Sequence, residues 1–331
     1  LILLAAVSVV LARLPKVELG YSKAFMSRRR FNWLPLGLTY AFLYMGRYNL
    51  KVSKFAFESL EGNDGGAMMG NADFGVIFGV GTFVYGFSFL INGPLTDKFG
   101  GRFSILLGAF GASLANLLMG LVSWSLWKQG AGHVLFAQHF VLIFSVLYAI
   151  NMYFQSFGAV AIVKVNSSWF HVRERGVFGA IFGILISLGI YFAYDWGDLI
   201  LENLGLAWVF LVPAIILFVF WLIDLKVVFN RPSDTGHADV ALGDATDGDE
   251  GPRMPPLKVF TMMLRNPIIL TIAFIEFCSG WLRQSIMQWY GTFAKQTDAL
   301  LGLKSSFVNE NWGMLLCVAG ILGGVVAGTI S

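Results

Sequence analysis

Long apolar runs alternate with short polar segments along almost the whole chain. A helix needs about 20 apolar residues to cross the hydrocarbon core of a bilayer. The strands of a membrane β-barrel would be shorter and would alternate polar and apolar positions, so they are excluded. We therefore predict eight membrane-spanning helices, near residues 33–55, 74–95, 103–126, 134–162, 177–195, 206–224, 267–292 and 312–331.

A polar segment at 225–266 separates the first six apolar runs from the last two. It is rich in Gly, Asp and Pro, and we interpret it as a flexible linker on the cytoplasmic side. We predict a six-helix bundle at 32–224 and the start of a second bundle at 267–331, which stops short of six helices. Residues 1–31 combine an apolar stretch too short to span alone with a basic segment; the stretch is either the end of a signal-like segment or part of a further helix.

Basic residues are concentrated in alternate loops, and the loops between them are acidic or sparsely charged. Such an asymmetry places the basic loops in the cytoplasm. We expect a multi-pass protein of a bacterial inner membrane with this orientation. The basic loops contain Arg13, Lys16, Lys23, Arg28, Arg29, Arg30, Lys98, Arg102, Arg173, Arg175, Lys226, Arg231, Arg253, Lys258 and Arg265.

Composition agrees with the hydropathy pattern and excludes several classes of function. Of the 331 residues, 56% are hydrophobic and 13% are charged, whereas a soluble domain carries about 25% charged residues. No basic soluble domain for nucleic acid is present. The histidines show no metal-ligand spacing, and Cys278 and Cys317 lie in apolar stretches, so we expect neither a metal site nor a disulfide. We expect no cofactor, and no nucleophile–base pairing points to an enzyme.

One face of the first predicted span is aromatic and cationic. At 100° per residue, the five residues of this face lie within an arc of about 80°. Tyr48 lies beside the arc, and Asn49 lies on the far side of the helix. A charge in the membrane interior costs roughly 2.5–3.5 kcal/mol on insertion scales, so this face requires an explanation. It consists of Tyr40, Tyr44, Arg47, Lys51 and Lys54.

Arg47 is the residue of this face that reaches water least easily. It lies about 15 residues, or about 22 Å, into the span, whereas Lys51 and Lys54 can extend toward the outer interface. Arg47 either pairs with a carboxylate on another helix or binds an external anion. The nearest carboxylates to the membrane interior are Glu276 and Asp73, so we favour an anion.

The seventh predicted span contains a second deep arginine, Arg283. Gln284 and Gln288 are four residues apart and form one hydrogen-bonding stripe, and Glu276 shares a face with Arg283 and can pair with it in part. Arg283 and Arg47 occupy comparable places in the first span of each half, as expected for two repeats that flank a site at the midplane. Two guanidinium groups suit a tetrahedral oxyanion because each offers paired donors in a plane.

Two loops carry further charged motifs. After the second span the chain reads Gly93-Pro94-Leu95-Thr96-Asp97-Lys98-Phe99-Gly100-Gly101-Arg102, in which Asp97 and Arg102 can cap the adjoining helix ends and pair. After the fourth span it reads Trp169-Phe170-His171-Val172-Arg173-Glu174-Arg175-Gly176. Taken alone, both loops are also explained as basic turns that obey the topology rule.

The segment from Gly93 to Arg102 resembles the sequence motif between the second and third helices of the major facilitator superfamily. Three further segments resemble the organophosphate:phosphate antiporters of that superfamily. The resemblance implies an all-α membrane fold of two six-helix bundles that open alternately to each side. The three segments are Arg47-Tyr48-Asn49, Phe154-Gln155-Ser156-Phe157-Gly158 with Glu174-Arg175-Gly176, and Trp281-Leu282-Arg283 with Trp289.

The resemblance implies that two helix arginines hold a phosphate, a role that falls on Arg47 and Arg283. We expect a monomeric secondary transporter that exchanges phosphorylated small organic anions for inorganic phosphate. The alternatives are a phosphosugar-sensing receptor without transport and a structural subunit of a membrane assembly. The expected substrate-binding residues are Arg47, Arg283, Lys51, Tyr44, Tyr48, Gln155 and Gln284. The residues expected in the cytoplasmic conformational motif are Gly93, Asp97, Arg102, Glu174 and Arg175.

Overall fold

The computed structural model describes residues 19–62, 65–240 and 255–330. The apolar stretch at 1–12 and the acidic centre of the linker lie outside the described residues. The α-helices are α1 Lys23–Glu58, α2 Asn71–Phe99, α3 Gly101–Lys128, α4 His133–Gln138, α5 Phe140–Ser167, α6 Arg175–Tyr191, α7 Gly197–Leu204, α8 Trp208–Val227, α9 Pro256–Arg265, α10 Pro267–Leu301, α11 Phe307–Glu310 and α12 Trp312–Ile330. A π-turn, Phe192–Trp196, joins α6 to α7, and 3₁₀ turns occupy Val172–Glu174 and Pro232–Thr235.

The described helices form two compact units. The first unit contains α1 to α8 and, from Gly313 onward, α12; the second contains α9, α10 and α11. The division of the chain at 224 and 266 into bundle, linker and second bundle stays a prediction. Part of the predicted linker is helical, because α9 occupies its last ten or so residues.

Five helical segments in the described residues are long and apolar enough to cross a membrane by themselves, and the bent pair α9–α10 can form a sixth span. They are α2, α3, α5, α8 and the continuous segment Gly176–Leu204. The predicted span at 177–195 is therefore too short. The predicted span at 134–162 is interrupted at His139, where α4 ends. The predicted first span lies within α1, whose inner arginine and lysines reduce its apolar character.

Helix packing in the first unit places α5 against both α2 and α3, α8 against α3 and α1, and α6 against α1. Buried apolar side chains such as Leu43, Phe57 and Phe144 fill the centre of this unit. Large apolar side chains such as Phe83 and Leu142, which are 65% and 64% exposed, cover its outside. An apolar exterior of this kind is the surface that lipid covers.

Gly81 on α2 allows a close approach to α5. A Cβ atom at this position would collide with the ring of Tyr148 and lie 3.2 Å from Cγ of Met152. Gly75, on the same helix, has nothing within 4 Å of the same position. The sequence contains many helical glycines, and only the packing distinguishes these two.

Gly81→Ala is expected to destabilise the protein, because the Tyr148 ring is buried and must move. Overpacking of this kind costs about 1–3 kcal/mol. Gly75→Ala is the matched control and should raise stability by roughly 0.5–1 kcal/mol through helix propensity. Urea unfolding in detergent micelles, followed by circular dichroism, measures both. Equal stability of the two variants would contradict the close α2–α5 contact.

Candidate functional site

Arg47 lies in the middle of α1 with its side chain inside the first unit, where 7% of the residue is exposed. Its Cζ atom is 4.7 Å from the ring centroid of Tyr44 and 4.4 Å from that of Tyr85 on α2. Its Nε donates a hydrogen bond to Oε1 of Gln155 on α5 at 3.2 Å. Aromatic faces attract a cation but carry no net charge that would neutralise it. The structure thus brings Tyr44 and Gln155 to Arg47 and adds Tyr85, which no sequence motif had singled out.

Buried amide side chains continue the network from Gln155 across the bundle. Gln155 and Asn116 both donate to Oδ1 of Asn151, at 3.2 and 3.0 Å. Asn49 donates to Asn116 at 2.5 Å, and Asn151 donates to the Gly46 carbonyl at 2.9 Å. Mutual hydrogen bonds restrict the rotamers of buried polar groups. This amide network therefore fixes the Gln155 oxygen that accepts from the guanidinium and links α1, α3 and α5.

The network extends beyond the residues that were predicted from sequence. Asn49 was placed on the far side of α1, and it is indeed directed away from Arg47 toward α3. Asn116 and Asn151 were missed, although an amide inside an apolar span is itself a signal of internal hydrogen bonding. The hydroxyl of Tyr148 adds a further contact by donating to the Arg47 carbonyl at 3.0 Å.

The Arg47 guanidinium keeps an unused donor. Its Nη2 is buried and has no hydrogen-bond partner among the described residues. None of the ion pairs between those residues includes Arg47. An unpaired buried charge is costly unless something supplies opposite charge and hydrogen bonds. The geometry around Arg47 is therefore suited to accept an anion.

The two lysines that follow Arg47 are buried, so neither side chain is exposed to solvent in the described part of the protein, and their extension toward the membrane interface stays a prediction. Lys54 is completely buried and pairs with Glu58, one turn later on α1, at 3.1 Å. The ammonium of Lys51 lies 5.5 Å from the ring centroid of Phe74. Because Lys54 and Glu58 have i,i+4 spacing, the carboxylate can neutralise the ammonium within the same helix. Lys51 stays a predicted contributor to the site.

Tyr48 is buried next to Arg47 along α1. Its ring stacks on that of Tyr194 in the π-turn, with centroids 5.8 Å apart and an interplanar angle of 23°. π-Turns inside helices occur frequently at functional sites. The structure thus gives Tyr48 a packing role against the segment after α6, and its contact with substrate stays a prediction.

Arg283 and Gln284 lie on α10 in the second unit. Gln288 donates to Gln284 at 3.5 Å, so the amide stripe forms as the i,i+4 spacing predicts. Arg283 is exposed, and no ion pair within the described ranges joins it to Glu276. The predicted partial pairing with Glu276 is therefore wrong for this part of the chain. The joint action of Arg283 and Arg47 stays a prediction.

Asp97 and Arg102 do not pair with each other, contrary to the sequence prediction. Asp97 pairs with Lys164 on α5 at 3.1 Å. Arg102 donates from Nη2 to the Leu225 carbonyl at 2.6 Å, and its backbone N–H donates to Oδ1 of Asn230 at 2.8 Å. The last carbonyls of a helix have no intrahelical partner and attract cations. The C-terminal end of α8 therefore takes the guanidinium that the sequence had assigned to Asp97.

Glu174 forms a buried, two-bond ion pair with Arg29 near the start of α1. Nη1 and Nη2 of Arg29 lie 2.8 and 3.0 Å from the two carboxylate oxygens. Two parallel hydrogen bonds make this the strongest kind of arginine–carboxylate contact. Arg29 was counted only as a topological charge, and the ion pair gives it a structural role. The side chain of Arg175 is not among those described, and Gly93 lies inside α2 with open space where a Cβ would be.

A comparison with protein families identifies the group to which this bundle belongs. The family model of the Major Facilitator Superfamily matches residues 31–331. The chain belongs to the major facilitator superfamily. The predicted fold class, an all-α membrane protein of this superfamily, is confirmed. As a superfamily member with several apolar spans, the chain is an integral, multi-pass membrane protein.

Relatives within the superfamily include transporters and a sensor. The chain is 23% identical over 306 residues to the glycerol-3-phosphate transporter of Bacillus subtilis, and the matched region covers 87% of this chain and 62% of that protein. It is 24% identical over 289 residues to putative glycerol-3-phosphate transporter 1 of Arabidopsis thaliana, covering 82% and 51%. It is 22% identical over 315 residues to the membrane sensor protein UhpC of Escherichia coli, covering 91% and 64%.

The chain thus spans about half to two thirds of the length of these relatives. The names of the two transporters agree with the resemblance of the segments around Arg47, Gln155 and Arg283 to the organophosphate:phosphate antiporters. The resemblance was inferred first from short motifs, and it is confirmed by similarity that extends over most of the chain.

Proposed function

We propose that the protein is a secondary active transporter of phosphorylated small organic anions, which it exchanges for inorganic phosphate by alternating access. The single observation that carries this proposal is the state of Arg47. Its guanidinium is buried among aromatic rings, it takes part in no ion pair between described residues, and its Nη2 has no hydrogen-bond partner among them. A phosphoryl group supplies the charge and the acceptors that this group lacks.

In this proposal Arg47 and Arg283 bind the phosphoryl group. Planar guanidinium groups offer paired donors to a tetrahedral oxyanion, which lysine does not. The rest of the cavity is shaped by Lys51, Tyr44, Tyr48, Gln155 and Gln284. Neutralisation of the arginines by the substrate lets the two bundles close around it, so that the loaded protein changes between states faster than the empty one.

The membrane context is part of the proposal. The basic loops lie in the cytoplasm, because they alternate with loops that are acidic or sparsely charged. The protein acts as a monomer in a bacterial inner membrane and carries out transport rather than enzymatic chemistry. The names of relatives support the class of cargo, since one is named as a glycerol-3-phosphate transporter and another as a putative one.

Exchange in liposomes tests the proposal. The full-length protein, reconstituted into liposomes loaded with inorganic phosphate, is expected to take up labelled phosphate added outside. Liposomes loaded with sulfate serve as the control and should take up much less, because exchange requires a counter-substrate that the site accepts. Glycerol 3-phosphate or a hexose phosphate added outside should compete with the label. Equal uptake with and without internal phosphate would contradict exchange.

A receptor without transport is the second candidate, because one relative is named as a membrane sensor protein. Both functions predict that a phosphorylated ligand stabilises the protein, by about 2.7 kcal/mol at a ligand concentration of 100 Kd. Only the transporter also predicts flux. Thermal unfolding with glycerol 3-phosphate, measured beside the exchange assay, separates them. Stabilisation without flux would favour the sensor, and neither effect would favour a structural subunit.

A further inference from the structure

The end of the predicted linker forms a helix, α9, that turns sharply into α10. The axes of the segments Lys258–Arg265 and Pro267–Leu301 meet at 83°. Asn266 and Pro267 fix the bend. Oδ1 of Asn266 accepts hydrogen bonds from the N–H groups of Ile268 and Ile269 at 3.0 and 3.4 Å and so caps α10. Pro267 occupies the first position of α10 and disfavours a helical conformation in the residue before it. The bend is therefore a property of the local sequence.

α9 has a narrow polar side and a broad apolar side. At 100° per residue, Lys258, Thr261 and Arg265 fall within an arc of about 60°. The helix contains no acidic residue. The side chains outside this arc that the structure describes are exposed by between 36% and 53%, so the described part of the protein leaves them uncovered. These exposed apolar residues are Val259, Phe260, Met262, Met263 and Leu264.

The direction of α9 follows from that of α10. α10 contains the predicted span 267–292, and its 35 residues extend about 52 Å, more than the roughly 30 Å of a hydrocarbon core. α9 is about 15 Å long, and at 83° to α10 it adds only about 2 Å along the axis of that helix. If α10 crosses the membrane as the predicted span does, the axis of α9 runs along the membrane surface at the end of α10 and does not lengthen the span.

We propose that α9 is an interfacial helix that binds an anionic lipid surface. Phe260, Met263 and Leu264 enter the boundary between headgroups and acyl chains, while Lys258 and Arg265 contact lipid phosphates. A short amphipathic helix with basic residues on its polar side is suited to this position, and the absence of acidic residues matches it to anionic headgroups. The lipid contact fastens the end of the linker to the membrane where the second unit begins. It does not depend on which substrate the protein carries.

Fluorescence quenching of the full-length protein in vesicles tests this proposal. Cys278→Ser removes the exposed cysteine, whereas Cys317 is buried. In that background, bimane is attached at Met263→Cys on the apolar side or at Thr261→Cys on the polar side. Brominated lipids are expected to quench the label at position 263 roughly twofold more than at position 261, and aqueous iodide should show the reverse order.

The charge of the lipid provides the second arm of the experiment. Lipid quenching at position 263 should be stronger in vesicles with phosphatidylglycerol than in pure phosphatidylcholine. Lys258→Glu with Arg265→Glu should remove that difference, whereas Lys304→Glu, at the other end of α10, should retain it. Iodide quenching at position 263 without lipid quenching would overturn the proposal. A label shielded from both quenchers would also overturn it and would indicate that protein covers the apolar side.

Discussion

Replacing Arg47 by lysine is expected to lower phosphate exchange in the liposome assay by about tenfold to a hundredfold. Hydrogen bonds to charged groups contribute about 1.5–3 kcal/mol each, and lysine loses the paired planar donors. Lysine would also lose the Nε contact to Gln155, which lies 3.2 Å away and orients the guanidinium. Arg47→Gln removes the charge as well and should abolish exchange and the stabilisation by glycerol 3-phosphate.

Arg30 provides the matched control for this prediction. It lies on the same helix as Arg47, and its side chain is exposed, so Arg30→Lys should leave exchange unchanged. Circular dichroism of each variant in micelles checks that the fold is retained. Exchange by Arg47→Lys at the rate of the parent protein would mean that a point charge suffices. The proposal that planar paired donors bind the substrate would then be wrong.

Glu174→Gln is expected to lower the free energy of unfolding by about 3–5 kcal/mol, because it leaves the buried guanidinium of Arg29 without a counter-charge. Both side chains are 7% exposed, and the two contacts are 2.8 and 3.0 Å long. The rings of Phe25 and Phe170 also lie close to this guanidinium, so water cannot readily replace the carboxylate. Urea unfolding in detergent micelles, followed by circular dichroism, measures the change.

The exposed pair between Asp97 and Lys164 is the natural control. These side chains are 68% and 45% exposed, and Asp97→Asn should cost at most about 1 kcal/mol. A double variant, Arg29→Met with Glu174→Leu, should recover much of the stability lost in Glu174→Gln, since replacing a buried ion pair by apolar groups is often neutral. A loss at Glu174→Gln no larger than that at Asp97→Asn would show that the buried pair is not a structural anchor.

The positions of the helices could be predicted from the sequence because membrane insertion depends on local quantities. About 20 consecutive apolar residues are enough to specify a span, and most of the predicted runs coincide with helices in the described residues. The errors concern where helices begin, break and end. His139 interrupts the fourth predicted span, and the helix after Gly176 continues through a π-turn to Leu204. Helix ends depend on caps and packing, which hydropathy does not report.

The pairing of charges could be predicted only where the partners are close in sequence. Lys54 and Glu58 are one helical turn apart, and this pair could have been found by spacing alone. Arg29 and Glu174 are 145 residues apart, and the turn between α2 and α3 directs Arg102 to α8 instead of Asp97. Such contacts depend on how each helix is rotated about its axis, which a single sequence does not determine.

By itself the sequence determined that Arg47 lies deep in an apolar span and that its surroundings resemble a family of phosphate-ester transporters. These conclusions follow from hydropathy and from short motifs. Only the tertiary structure decided that Gln155, 108 residues away, holds the guanidinium while Nη2 keeps no hydrogen-bond partner within the described residues. The physical reason is that burial, rotation and contact between helices arise when α1, α2 and α5 pack together.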